Sequence, residues 1–219
     1  ERRIVVEQLE LIEPAIALEV AEDGKASWDI DIAAPEGGSA ETSEGESGET
    51  PLDISLADVR IVGGSLSFDD RRSGTSEKVE DLQMMIAAPS LSGPFDVTAS
   101  ARARGTPVSI ELKTGALKPQ QPLTIGLKAV LTDADAELRF NGKMLAPIPT
   151  GLLSGKLEIV GSNAKRIAAA TGQNDLPPLL AKPVSVDGTL MVSPDAIALN
   201  DTAIKFGAFS GNGAVSVTL

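Results

Sequence analysis

The residues best suited to chemistry in this chain are carboxylates, and several stand close together. Asp133 and Asp135 are separated by one residue, Asp69 and Asp70 are adjacent, and Glu36, Glu41, Glu44, Glu46 and Glu49 crowd one stretch. Two carboxyls across a cleft can act as acid and base in glycoside hydrolysis, but such a pair normally comes from separate elements. Asp133 and Asp135 alternate with apolar neighbours and read as the wet face of one strand. Asp69-Asp70-Arg71-Arg72 reads as a polar turn with self-paired charge. The five glutamates lack the fixed spacing of a cation site. Histidine and cysteine are absent, which removes Ser–His and Cys–His nucleophiles, histidine bases, and metals held by imidazole or thiolate. No phosphate loop, dinucleotide fingerprint, nucleophile elbow or zinc-helix motif occurs. The lone Trp28 reads as a core or rim aromatic fixing a first hairpin. No enzyme, metal or cofactor is expected.

Composition narrows the partners. The 219 residues carry a net charge of −12, and no Lys/Arg cluster stands out, so nucleic acid is excluded as an expected partner. Hydrophobic residues make up 42% but aromatics only 3%, so the apolar surface must be built from Val, Ile, Leu and Ala. No apolar run is long enough for a membrane-spanning helix. The opening "ERRIVVEQLEL" lacks the features of a signal peptide, and both ends read as cut from a longer chain.

Short alternating runs separated by turn residues repeat along the chain, which is an all-β signature. About fourteen strands are expected: Ile4–Leu11, Ile16–Val20, Ser27–Ile32, Asp53–Val62, Ser65–Asp69, Lys78–Ala87, Phe95–Arg104, Val108–Thr114, Leu123–Val130, Ala134–Phe140, Gly155–Val160, Val184–Met191, Ala196–Asn200, Thr202–Phe206 and a last one from Phe209. Asp23-Gly24 marks a hairpin between the second and third, and Gly63-Gly64 a turn between the fourth and fifth. Residues 33–51, rich in Glu and Gly, read as a disordered acidic loop inside a single β-rich segment spanning 1–219. One short helix is expected at 162–172, capped by Ser162 or Asn163, ended by Gly172, and plugging an edge or end of the sheet.

The clearest alternation begins at Phe95. Val97, Ala99, Ala101 and Ala103 share one parity, as do Val108, Ile110 and Leu112, then Leu123, Ile125 and Leu127. A hairpin at Gly105-Thr106, or over Arg104–Pro107, sets Ala103 against Val108, Ala101 against Ile110 and Ala99 against Leu112. A sheet with one apolar and one wet face has two ways to shelter the apolar side. It packs on a second sheet as an open sandwich, or it curves into a trough-like groove that holds something apolar. The alternation leaves both open.

Several stretches resemble the AsmA family: "LEVAEDGKASWDI", "ISLADVRIVGGSLSFDDRRSG", "LSGPFDVTASARARGTPVSIELKTG", and the tail from "GKLEIVGSNAKRIAAATG" through "SVDGTLMVSPDAIALNDTAIKFGAFSGNGAVSV". Ser27, where the family more often has Asn before the Trp, and the Glu-rich insert depart from the pattern. The resemblance implies a periplasmic β body anchored to the Gram-negative inner membrane by an N-terminal helix. It also implies a kinship with bridge-like lipid-transfer proteins, with phospholipid acyl chains as the ligand and outer-membrane integrity as the role. It brings no catalytic residues. On this reading the ten positions from Val97 to Leu127 named above line the groove. The alternative is a structural factor in outer-membrane protein assembly that contacts other envelope proteins through exposed strand edges.

Overall fold

A computed structural model describes residues 3–6, 8–27, 53–90, 92–118, 120–145, 152–173 and 176–218. It is mostly β, with one α-helix and two single-turn 3-10 segments, Thr132–Ala134 and Pro178–Leu180. Thirteen strand segments form one sheet. Ten of them make an antiparallel meander in chain order: β4 (Asp53–Asp70), β5 (Thr75–Ala88), β6 (Asp96–Ala103), β7 (Thr106–Thr114), β8 (Leu123–Leu131), β9 (Ala136–Met144), β10 (Leu153–Gly161), β11 (Val184–Ser193), β12 (Ala196–Phe206) and β13 (Phe209–Thr218). Short connections permit this, because antiparallel neighbours need only tight turns. Three short strands, β1 (Arg3–Val6), β2 (Leu9–Ile12) and β3 (Ala15–Val20), lie end to end along β4 and run parallel to it.

Several expectations are corrected. The first expected strand divides into β1 and β2. β3 takes β4 as a parallel partner, while the chain does reverse at Asp23-Gly24, where Val20 bridges Ala26, the Ala21 amide donates to the Lys25 carbonyl and the Ser27 amide to that of Glu19. Trp28, the expected strand to Ile32 and the acidic stretch 33–51 lie outside the described residues. Gly63-Gly64 does not end a strand. Gly63, with φ +66, sits at a shift in register and lets one 18-residue strand bend and continue. The two strands expected around Asp201 are likewise one, β12, with a register shift where Asp201 has φ +49. Asp133 and Asp135 line no strand: they belong to the exposed turn between β8 and β9, where Asp135 takes a left-handed conformation.

The β6–β7 hairpin keeps its expected face but slides by two residues. Ala103 pairs with Thr106, Ala101 with Val108, Ala99 with Ile110 and Val97 with Leu112. The loop is Arg104-Gly105, with φ +50 and +76, as a type I′ turn requires. Pro107 then stands opposite Arg102 in a pair that exchanges no hydrogen bonds, so its missing N–H costs the β6–β7 ladder nothing.

The helix α1 (Ala164–Ala170) starts where Asn163 accepts a hydrogen bond from the Arg166 amide at 3.2 Å, and Gly172 follows its end with φ +92. It packs on the turns Thr132–Ala134 and Pro178–Leu180. Gly161 makes room for Ile167, whose Cδ1 would lie 2.4 Å from a β-carbon there. α1 therefore closes one end of the sheet near β9 and β10.

Candidate functional site

The registers of successive strand pairs line up apolar residues in rows that cross the sheet. One row runs Leu11–Ile61–Met84–Ala99–Ile110–Ala129–Leu138–Ile159–Val186–Ile204, from β2 through β12. A second runs Leu9–Val59–Ile86–Val97–Leu112–Leu127–Phe140–Leu157 and meets Gly188 on β11. Every strand contributes because alternation at period two, kept in register, must place like with like on each face. Eleven strand positions stand side by side, so at roughly 4.8 Å each the face is about 48 Å wide.

Among the described residues little covers that face: the extensive contacts of each strand are with its hydrogen-bonded neighbours, the turn Thr132–Ala134 packs on β7, and α1 packs on that turn and on Pro178–Leu180. The open sandwich expected as an alternative therefore has no second sheet among the described residues. Only eight apolar residues are buried among them, three of which are alanines (Ala88, Ala134, Ala136). Phe140, Ile61 and Leu157 are the deepest large side chains of the rows, at 4%, 7% and 9% exposure. Most others are half-buried, and Leu9, Leu11, Ile110 and Ile204 are exposed. Single-layer burial of this kind differs from a domain core, where large apolar side chains are closed off on all sides.

Phe140 is seated by glycine. Gly142 and Gly155 face each other across β9 and β10, and a β-carbon on either would fall 2.4 or 2.8 Å from the Phe140 ring tip. The ring thus lies across two residues without side chains, an aromatic filling the gap that glycine leaves in a sheet.

The opposite face carries charge. Glu111, Lys128, Arg139, Glu158 and Asp187 form a row of their own across β7 to β11. Lys156 holds Glu158 at 2.8 Å and Asp187 at 3.1 Å, and Lys113 holds Asp96 at 3.0 Å. Hydrogen bonds to Glu158 and then Asp187 raise the Lys156 pKa, and the bond to Asp96 raises that of Lys113. Pro107, Gly126, Val130 and Val160 interrupt this face, which is otherwise polar across β7 to β10. Its pairs are exposed ladders of the kind that keep a sheet face in water.

All ten expected groove residues fall on the apolar face, on three adjacent strands. Val97, Ala99, Ala101 and Ala103 come from β6, Val108, Ile110 and Leu112 from β7, and Leu123, Ile125 and Leu127 from β8. Nine are half-buried and Ile110 is exposed. Sequence reasoning missed the continuation into β4, β5, β10 and β11, where Val59, Ile61, Met84, Ile86, Leu157, Ile159 and Val186 belong to the same rows. The signal was present at Leu157/Ile159 and Val184/Val186 as period-two alternation. It was hidden on β4 and β5 by register shifts, which break parity within one strand.

Among the described residues no group of His, Cys, Asp or Glu is placed to hold a metal. A shallow open depression of about 410 Å³ crosses β4 to β7, lined by residues that include Ile61, Met84, Ala99 and Ile110. No helix of the described residues is long and apolar enough to cross a membrane. No family model, curated protein or solved structure matches the chain.

Proposed function

We propose that the apolar face is a binding surface for the acyl chains of phospholipid, and that the sheet curves around them as a trough. One observation supports this reading: two rows of apolar, mostly aliphatic residues cross the sheet, most of them half-buried or exposed, and among the described residues no second layer packs on them. Water-soluble proteins rarely expose contiguous apolar patches beyond a few hundred Å², and larger ones mark ligand or partner surfaces. The ligand chemistry follows from the lining. Aliphatic side chains without polar groups recognise hydrocarbon by removing it from water, at roughly 25 cal/mol per Å². The alanines at 99, 101 and 103 leave space above β6. Register shifts in β4, β5 and β12 support curvature, because bulges bend and twist a sheet.

The action is passive and needs no catalytic group: a hydrocarbon tail exchanges water for the face and slides along rows without polar fixtures. The AsmA resemblance supplies the setting of this proposal, a periplasmic body tethered to the inner membrane and serving outer-membrane integrity.

Lipid extraction and mass spectrometry of the purified chain test the reading. Phospholipid is expected to travel with the protein, and the double variant Ile110→Asp/Leu127→Asp is expected to lose it. Circular dichroism of that variant and a charge swap on the other face, Glu111→Lys, separate lost binding from lost folding. A chain that carries no lipid and takes up no fluorescent acyl-chain probe would sink the proposal.

A further inference from the structure

The connection between β10 and β11 ends in a turn that presents apolar side chains to water. We propose that this turn, residues 177–183, docks on the surface of a negatively charged phospholipid bilayer. The proposal holds whatever the apolar face of the sheet binds.

Residues 176–183 read "LPPLLAKP", with Lys182 as the one polar side chain. Pro177, Pro178 and Leu179 are exposed in succession, followed by Ala181 and Pro183. Leu179 is 74% exposed, more than any other large apolar residue described outside β13. Single exposed leucines are ordinary, but a consecutive exposed apolar run marks a contact surface. The turn has a fixed backbone. The Leu180 amide donates to the Pro177 carbonyl and the Ala181 amide to that of Pro178, both at 3.0 Å. The Lys182 carbonyl accepts from the Ala164 amide at 2.9 Å and that of Pro183 from the Gly207 amide at 2.8 Å, which ties the turn to α1 and to the β12–β13 turn. Leu179 is therefore held outward by structure already formed, and docking it requires little further ordering.

Charge identifies the surface. Residues 162–183 hold Lys165, Arg166 and Lys182 against one carboxylate, Asp175, in a chain of net charge −12. Many cations elsewhere, Arg60, Lys78, Lys113, Lys128, Arg139 and Lys156 among them, hold carboxylates. Lys165, Arg166 and Lys182 form no ion pair among the described residues. Arg166 donates to the Asp133 main-chain carbonyl at 3.3 Å, and the carboxyls of Asp133 and Asp135 pair with none of the three. The Ala164–Lys182 hydrogen bond sets Lys182 beside the first turn of α1, which carries the other two cations. An apolar tip with unpaired cations beside it suits an anionic bilayer: leucine and proline enter the hydrocarbon boundary while the charged groups stay among the phosphates. Protein interfaces are more often anchored by buried aromatics, and this turn has none.

Vesicles of one part phosphatidylglycerol to two parts phosphatidylcholine test the proposal, with phosphatidylcholine alone as reference. The chain has no cysteine, so an environment-sensitive dye can be attached at single sites. Leu179→Cys reports the turn, Asp195→Cys the β11–β12 turn at the opposite end of the sheet, and Ile110→Cys the apolar face. All three positions are exposed, and circular dichroism checks that the variants fold. The dye on Leu179→Cys is expected to shift to the blue with the anionic vesicles, and the dye on Asp195→Cys to stay unchanged. Cosedimentation is expected to fall roughly tenfold for Leu179→Asp and about fivefold for Lys182→Ala, and to weaken in molar salt. A dye on Leu179→Cys that stays in water would overturn the proposal and leave the turn to a protein partner. Equal responses to the two vesicle types, or unchanged cosedimentation of Leu179→Asp, would also overturn it. So would a shift at Ile110→Cys without one at Leu179→Cys, because the sheet face would then be what meets the bilayer.

Discussion

Phe140 and the glycines beneath it show how one side chain sets a local shape. Phe140→Ala removes the most buried aromatic of the apolar face and leaves the Gly142–Gly155 pair uncovered. A loss of about 3 kcal/mol is expected, at the low end for buried Phe→Ala because the site opens to one side and can partly collapse. Gly142→Val is expected to cost a similar amount for the opposite reason. Its β-carbon would meet the Ser154 carbonyl oxygen at 2.4 Å as well as the ring, and backbone cannot step aside as a side-chain end can. Urea unfolding of both variants checks this, and a Gly142→Val protein as stable as the parent would contradict the seating of the ring. The sequence reveals Phe140 as an apolar-face residue through alternation with Leu138. It does not reveal the glycine pair, because Gly142 and Gly155 meet only once β9 and β10 are in register.

At the scale of elements, turns and caps decide where the chain stops and reverses. The one helix depends on Asn163, and Asn163→Ala is expected to lower stability by about 1 kcal/mol, with Asn163→Asp retaining most of it. Thermal unfolding followed by circular dichroism reads both. Helix position and cap were legible in "SNAKRIAAATG", since capping and propensity are local properties. The β6–β7 register was not, although parity was: two-residue and four-residue loops preserve the same face, so alternation cannot choose between them. Arg104 adopts a positive φ that a non-glycine residue seldom takes. That conformation is held while Arg104 also pairs with Glu77 on β5, a contact 27 residues away in sequence. The division of the edge into β1, β2 and β3 was equally hidden, because parallel pairing with β4 joins segments about fifty residues apart.

At the scale of the molecule, charge and apolarity are sorted to opposite faces, and the pH response follows. Burial raises the Asp70 pKa, but the Arg72 amide and guanidinium and the Ser73 hydroxyl outweigh it and hold the carboxyl below the ordinary range. The hydrogen bond from Lys78 lowers Glu80 in the same direction. Such carboxylates bind fewer protons folded than unfolded, so their contribution is complete above the unfolded pKa and disappears as pH falls through the lower folded value. Lys78, Lys113 and Lys156 are raised by their carboxylate partners, so their contribution is complete below the unfolded lysine pKa and lost as pH climbs through the folded value, above about 10.5. With no histidine in the chain, the melting temperature is expected to stay level between about pH 6 and 8. All these pairs are exposed, so the acid-side decline is expected to be shallow and to weaken further in molar salt. A sharp transition near pH 6.5 would contradict this assignment.

The sequence by itself determined the all-β class, the parity of the strands β6 to β9, the helix, and the absence of histidine and cysteine chemistry. Each of these is a local property, set by side-chain type and a two-residue period. Only the tertiary structure decided that the strands form one sheet and not two. It alone joined residues from Leu11 to Ile204 into a single row, with no covering layer among the described residues. The reason is physical: alternation states which residues share a face, but which faces meet depends on pairings between distant segments, and those are made by backbone hydrogen bonds that carry no residue type.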